Sequence, residues 1–246
     1  MKKNNKYKIG TWITQNDISF SDSLSDFNFD WLCVDMEHTT ISFEQMKNHI
    51  IAIKSKNKEA FVRVGKNDIL EIKKALDAGA DGIIVPMVNS YKDALKAIEN
   101  CFYPPVGKRG FGLTRVNCYG DNFVEYTNQV SKKIKLIVQV EHYKSIKDLN
   151  QILLNENIYG SFIGPYDLSG SLNKPGKFSD DDVQKYLKQY IEIASGHNKI
   201  IGYHIVTENP YEIKEIIGQG YNFIAINFDM FFLRHGINIF LNKNTN

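Results

Sequence analysis

The chain is poor in the features that staple or anchor a fold from outside. Its 246 residues hold three cysteines, Cys33, Cys101 and Cys118, an odd number with no CxxC spacing. They read as reduced thiols, which excludes a disulfide framework and a zinc site. No apolar run reaches the roughly 18 residues of a membrane span. The basic start, MKKNNKYKIG, is followed by no apolar stretch, so it does not read as a signal peptide. The expectation is a cytoplasmic protein with no membrane partner. Neither GxGxxG nor GxxxxGK(S/T) occurs, so a nucleotide-phosphate cradle has no support. Lys and Arg number 30 against 28 Asp and Glu, a net charge of +2 with both signs mixed along the chain. A nucleic-acid partner is therefore not expected, because that footprint gathers basic residues on one face.

What is present is an ordinary globular mixture, 43% apolar and 24% charged. Short apolar runs alternate with amphipathic segments from end to end. The candidate strands are 8–13, 31–35, 60–64, 82–85, 134–140, 159–163, 200–204 and 222–226. Helices fit at about 43–55, 68–78, 90–101, 143–154, 181–196, 209–218 and 228–241, while 17–29 is weakly helical at best. Asn67 or Asp68 can cap the helix whose apolar face is Ile69, Ile72 and Leu76, and Gly79 suits the left-handed position beyond its end. Asn209-Pro210 opens another helix. Alternating units with short apolar strands imply a parallel sheet. Eight such units in a chain of this length predict an α/β fold, a (β/α)₈ TIM barrel forming one domain over residues 1–246. The longest irregular stretch, 102–133, contains FYPPVGKRGFG with Lys108 and Arg109. Its length, and a helical look over 121–132, predict a structured active-site or interface loop.

In such a barrel the chemistry lies at the C-terminal strand ends. There the sequence offers Asp35-Met36-Glu37-His38, Arg63, Gln139-Val140-Glu141, Gly164-Pro165-Tyr166-Asp167, His204, Asn227 and Asp229. Glu141 and Asp167 follow neighbouring strands and form the best metal pair. With water and substrate oxygens they would give an all-oxygen shell suited to Mg²⁺ or Mn²⁺; alternatively each simply caps its helix. Gln139 lies two residues before Glu141 and so shares its strand face. Arg63 on a strand needs a charged partner, either a bound carboxylate or enolate, or Asp35 or Glu37. His38 at the mouth is a candidate proton carrier. No lysine sits where an imine-forming residue belongs: Lys66 follows the third strand and Lys199 precedes the seventh.

Several motifs resemble one family in order along the chain, from about residue 9 to 228. They are Asp35-x-Glu37-His38, Val62-Arg63-Val64, Leu76-Asp77-Ala78-Gly79-Ala80, Val85-Pro86-Met87-Val88, Tyr103-Pro104-Pro105-x-Gly107-x-Arg109-Gly110, Gln139-x-Glu141 and Gly164-Pro165-x-Asp167-Leu168-Ser169. Together they resemble the HpcH/HpaI aldolases, class II pyruvate aldolases of the 4-hydroxy-2-oxoheptanedioate and 2-keto-3-deoxy sugar acid type. The resemblance implies a carbon–carbon lyase that releases pyruvate and an aldehyde with a divalent ion (Mg²⁺, Mn²⁺ or Co²⁺). It implies that Glu141 and Asp167 hold the ion, that backbone amides near Gly164 and Tyr166 take the substrate carboxylate, and that Gln139 binds nearby. Arg63 would stabilise the enolate, and His38 would move the proton.

The resemblance also pairs Asp77 with His38. Asp77 ends a helix at one face of the barrel and His38 follows a strand at the other, about 15 Å away for a five-residue strand at roughly 3.3 Å per residue. The pair would therefore need a neighbouring subunit, and a homo-oligomer, trimer or hexamer, is expected; the alternative is that Asp77 only ends its helix. Two departures bear on substrate identity. Tyr166 stands where the family is usually small, and His204 where it is generally apolar. Two other readings compete: a citrate-lyase-like acyl-CoA lyase, for which only Lys108, Arg109 and Arg115 hint at a basic groove, and a non-catalytic barrel that binds a partner.

Overall fold

A computed structural model describes residues 7–244; the basic residues 1–6, read above as no signal peptide, lie outside them. Eight parallel strands close into a barrel in sequence order: β1 (Lys8–Ile13), β2 (Trp31–Asp35), β3 (Glu59–Arg63), β4 (Gly82–Val85), β5 (Lys135–Val140), β6 (Gly160–Ile163), β7 (Ile200–Ile205) and β8 (Phe223–Phe228). The helices are α1 (Ile18–Ser25), α2 (Phe43–Ser55), α3 (Ile69–Ala78), α4 (Tyr91–Cys101), α5 (Phe123–Glu125), α6 (Leu149–Leu154), α7 (Pro165–Ser171), α8 (Asp181–Ser195), α9 (Pro210–Gly218) and α10 (Asp229–Asn244). Among the described residues no helix is long and apolar enough to cross a membrane.

The caps read from sequence are in place. Asp68 accepts from the N–H groups of Leu70 and Glu71 at the start of α3, and Gly79 ends that helix at φ 105°. Ser42 and Gln45 form a capping box on α2, and Asn209 caps α9. Two expectations need correction, and one further helix had no counterpart in the sequence reading. Residues 17–29 hold a regular helix, α1, because Asp17 caps it through Ser19. The segment 165–171 is the helix α7, with Pro165 at its first position, where a missing N–H costs nothing. The helix expected over 143–154 is split, with a 3-10 stretch at Tyr143–Asp148 before α6.

Side chains alternate across each strand. One set packs outward beneath the helices, including Leu32, Val34, Val62, Ile83, Val138 and Ile224. The other fills the barrel interior: Trp12, Trp31, Cys33, Phe61, Ile84, Ile137, Phe162, Phe223 and Ala225. Trp31 stacks on Phe223 with centroids 4.2 Å apart and planes 4° from parallel. Room for these rings comes from strand glycines. A Cβ on Gly10 would lie 2.1 Å from the Trp31 ring, one on Gly82 2.4 Å from Phe61, and one on Gly202 2.3 Å from Phe162. The interior is thus a solid plug below the C-terminal mouth. Cys33 and Cys101 are buried and Cys118 is exposed.

The excursion 102–133 is built from short helical turns, among them α5. It is fastened by Arg109, whose buried guanidinium meets Asp77 at 2.6 Å and lies 4.6 Å from the centre of the Tyr103 ring.

The plug carries a prediction. Gly10→Ala forces a methyl group into the Trp31 ring and is expected to destabilise the fold by roughly 1–3 kcal/mol or more. The readout is a lower denaturant midpoint at unchanged slope; a wild-type midpoint would show that the interior has slack.

Candidate active site

The inward alternation that builds the plug continues upward and changes character. Cys33 is followed on the same face by Asp35, Phe61 by Arg63, Ile137 by Gln139 and then Glu141, Gly202 by His204, and Ala225 by Asn227. The mouth of the barrel is therefore ionic where its interior is aromatic.

Asp35 and Arg63 are register partners on β2 and β3. The Arg63 Nε and Nη2 atoms donate to the two oxygens of Asp35 at 2.9 and 2.8 Å, a bidentate pair. Nη1 is left turned toward Glu37, 3.3 Å from its carboxylate. The guanidinium also lies 4.5 Å from the centre of the Trp12 ring. Of the two sequence readings for Arg63, the structure contains the pairing with Asp35 and Glu37. Asp35 also accepts the N–H of Glu37 at 3.0 Å and that of His38 at 3.4 Å, so it shapes the turn that carries both. The His38 ring is largely exposed, with Nε2 3.6 Å from the Glu37 carboxylate.

Across the mouth, Glu141 is buried. It accepts the Met87 N–H at 2.7 Å and the side-chain amide of Gln139. Met87 is held at φ 53°, a strained conformation for this residue. The other amide atom of Gln139, Oε1, is buried without a hydrogen-bond partner. Asp167 stands in the first turn of α7. Gly164 lies between the groups: a Cβ there would be 3.3 Å from Glu141 Cγ, 3.5 Å from Asp167 Oδ2 and 3.5 Å from Gln139 Nε2. Its N–H already donates to the Val140 carbonyl at 3.2 Å. Gly164 therefore supplies space while its own N–H is engaged by the strand, and its neighbour Tyr166 keeps an amide without a backbone partner among the described residues.

Burial pushes the Glu141 carboxyl up to about 7, opposed by the Met87 bond and helped by the nearby charges of Glu37 and Asp167. Burial likewise raises Glu37 to about 7, opposed by Arg63 and helped by Asp35 and Asp167. Four carboxylates thus crowd one guanidinium. No group of three or more His, Cys, Asp or Glu among the described residues is arranged to hold a metal by itself. The two-carboxylate arrangement of Glu141 and Asp167 leaves most of a coordination shell to other oxygens. The excess negative charge and the orphaned Gln139 oxygen fit a cation there.

Tyr166 is 56% exposed and meets Phe178 edge-on, with ring centres 4.8 Å apart. Asp77 does not join this group within the chain. It lies at the C-terminal end of α3, bonded through Oδ1 to Arg109. Lys199 is likewise remote, donating to the carbonyls of Asn155 and Ile158. The sequence reading gave no role to Trp12 and no specific role to Asn227, and marked His204 only as a departure bearing on substrate identity; the contacts of all three at the mouth cross between strands.

Comparison with known proteins fits this geometry. Residues 8–236 match the model of the HpcH/HpaI aldolase/citrate lyase family. A 2-dehydro-3,6-dideoxy-6-sulfogluconate aldolase of Pseudomonas putida is 32% identical, over 94% of this chain and 89% of its own. A hydroxypyruvate/pyruvate aldolase of Roseobacter denitrificans is 32% identical, over 90% of this chain and 86% of its own. In fold, an HpcH/HpaI aldolase/citrate lyase family protein of Burkholderia cenocepacia superposes with a TM-score of 0.92 at 24% identity, covering 99% of this chain and 96% of the other. The barrel, its ionic mouth and these matches agree, and the chain belongs to the HpcH/HpaI aldolase/citrate lyase family.

Proposed function

We propose that this chain is a metal-dependent aldolase, a cytoplasmic carbon–carbon lyase that reversibly cleaves a 4-hydroxy-2-oxo acid to pyruvate and an aldehyde. The observation that carries this reading is the convergence of Glu141 and Asp167 around Gly164, beside Gln139. A divalent ion held by Glu141 and Asp167, Mg²⁺, Mn²⁺ or Co²⁺, supplies Lewis acidity to the substrate keto oxygen when bound. Arg63, anchored on Asp35 through two of its nitrogens, presents fixed positive charge where the enolate forms. Gln139 and the Tyr166 backbone bind the substrate carboxylate. In cleavage His38 takes the proton of the C4 hydroxyl, the C3–C4 bond breaks and the aldehyde leaves. The electron pair stays as the enolate, and a proton delivered to C3 gives pyruvate.

The metal reading has a pH signature. The native Glu37 and Glu141 carboxyls hold their protons to about pH 7, against 4.5 as the ordinary value. Between those limits the native state binds more protons than the unfolded chain. These two groups therefore make the metal-free protein less stable as pH rises through that window. A divalent ion is expected to raise the melting temperature by several degrees at about pH 8 and much less at about pH 5.5. Glu141→Ala or Asp167→Ala removes that increment and the aldolase activity. An equal shift at both pH values, or in both variants, would count against the site.

Tyr166 governs the aldehyde and not the 2-oxo acid, since its ring projects beside Phe178 on the loop side of the mouth. Tyr166→Ala is expected to reorder aldehyde preference while deuterium exchange at the pyruvate methyl group persists. Parallel loss of both activities would argue against this division.

His38 and Asp77 work together across two copies in a homo-oligomer, trimer or hexamer. Asp77 Oδ2 accepts no hydrogen bond among the described residues, Oδ1 being taken by Arg109. A cavity of about 590 Å³ opens just past the end of α3, at the N-terminal ends of β4 and β5, lined by Gly79, Arg115 and Tyr126 among others. Apolar side chains on α10, Leu233 and Ile237, are 47% and 49% exposed. Subunit mixing tests the arrangement. His38→Ala and Asp77→Asn are each weak alone, and hybrids of the two regain part of the activity. No recovery in verified hybrids would overturn it.

A further inference from the structure

The mouth of the barrel carries an imidazole that the proposed reaction leaves unused. His204 follows Gly202 on the inward face of β7. Its Nε2 lies 3.1 Å from the main-chain carbonyl of Asn227. A carbonyl only accepts, so Nε2 carries the proton and Nδ1 is the acceptor. Asn227 is not free to turn away. Its side-chain amide accepts from the Thr207 N–H at 2.7 Å and donates to the Thr207 carbonyl at 3.1 Å, and its backbone is left-handed at φ 51°. The imidazole packs edge-on against Trp12, with ring centres 5.6 Å apart, and the same indole carries the Arg63 guanidinium. Burial lowers the imidazole to about 4, so at neutral pH it is uncharged. Nδ1 has no hydrogen-bond partner among the described residues. The result is a neutral acceptor, fixed in tautomer and orientation, next to the group assigned to the enolate.

Which half of the substrate it meets rests on the aldolase reading above. Strand residues Arg63 and Gln139, with Glu141 just beyond, serve the 2-oxo acid, while Tyr166 and Phe178 border the aldehyde from the loops. His204 is a strand residue and shares Trp12 with Arg63, so it faces the 2-oxo acid. The C3 methyl group of pyruvate gives Nδ1 nothing to accept, and an apolar side chain would serve a methyl better. A hydroxyl on C3 supplies the missing donor. We propose that His204 Nδ1 is a hydroxyl subsite selecting a 2-oxo acid hydroxylated at C3, making the cleavage substrate a 3,4-dihydroxy-2-oxo acid, a member of the 4-hydroxy-2-oxo acid class that releases hydroxypyruvate in place of pyruvate.

The experiment is deuterium exchange at C3 of hydroxypyruvate and of pyruvate, with divalent metal and no aldehyde, each rate divided by its metal-only rate in buffer. The wild-type ratio should favour hydroxypyruvate. His204→Leu should lower that ratio roughly tenfold, the effect of one lost hydrogen bond in an enclosed site, and His204→Gln, which keeps an acceptor, should preserve most of it. The ratio does not depend on how much of a variant is folded. If His204→Leu yields no folded protein, the wild-type ratio decides. An unchanged ratio in His204→Leu, or a wild type that favours pyruvate, overturns the subsite and leaves the aldolase reading standing. A wild type that exchanges neither acid overturns the aldolase reading and the subsite with it.

Discussion

The inward face of this barrel must pass from aromatic packing to ionic chemistry within one step of each strand, and the Arg63–Asp35 pair is where it does so. Both residues lie directly above the plug, Arg63 over the indole of Trp12 and Asp35 above Cys33. A guanidinium removed from water needs a partner with matching geometry, and the neighbouring strand provides one in register. The turn after β2 follows, since the second job of Asp35 is to accept the N–H groups of Glu37 and His38. Removing either partner would leave the other charge buried and uncompensated, and losing Asp35 would also loosen the segment that presents two site residues.

The acidic side of the mouth is arranged by space as much as by bonds. Gly164 lets Glu141, Asp167 and Gln139 approach where a Cβ would stand against all three. Met87 accepts an unfavourable backbone conformation and aims its N–H at Glu141. Burial holds the carboxyls of Glu141 and Glu37 up to about 7. The site is thus short of positive charge by construction, and Arg63, already committed to Asp35, cannot make up the deficit alone.

Much of this was legible in the sequence. All eight strands lie within two residues of their expected limits, and α2 coincides, because apolar runs and caps are local signals. The short helices α1 and α7 were not, since serine, glycine and proline dominate them and favour turns on average. Pro165 permits a helix only because it falls at the first position. The candidate site residues could be named from strand ends, but not their partners. That Arg63 pairs with Asp35 is a fact of sheet register. That Gly164 acts through its missing side chain is a fact of three other residues. That Asp77 meets Arg109 depends on how the excursion folds back. The neutrality of His204 comes from burial beside an indole far away in sequence, against the pull of the Asn227 carbonyl.

The three thiols divide sharply by access. Cys33 sits inside the plug and Cys101 under the last turn of α4, both fully buried with burial raising their pKa, while Cys118 is exposed on the excursion. Alkylating reagents attack thiolates that they can reach. The folded protein therefore offers them a single address, on the segment that Arg109 bolts to α3. A dye placed there would report on that segment alone, and the slower uptake of two further equivalents would time the opening of the barrel itself.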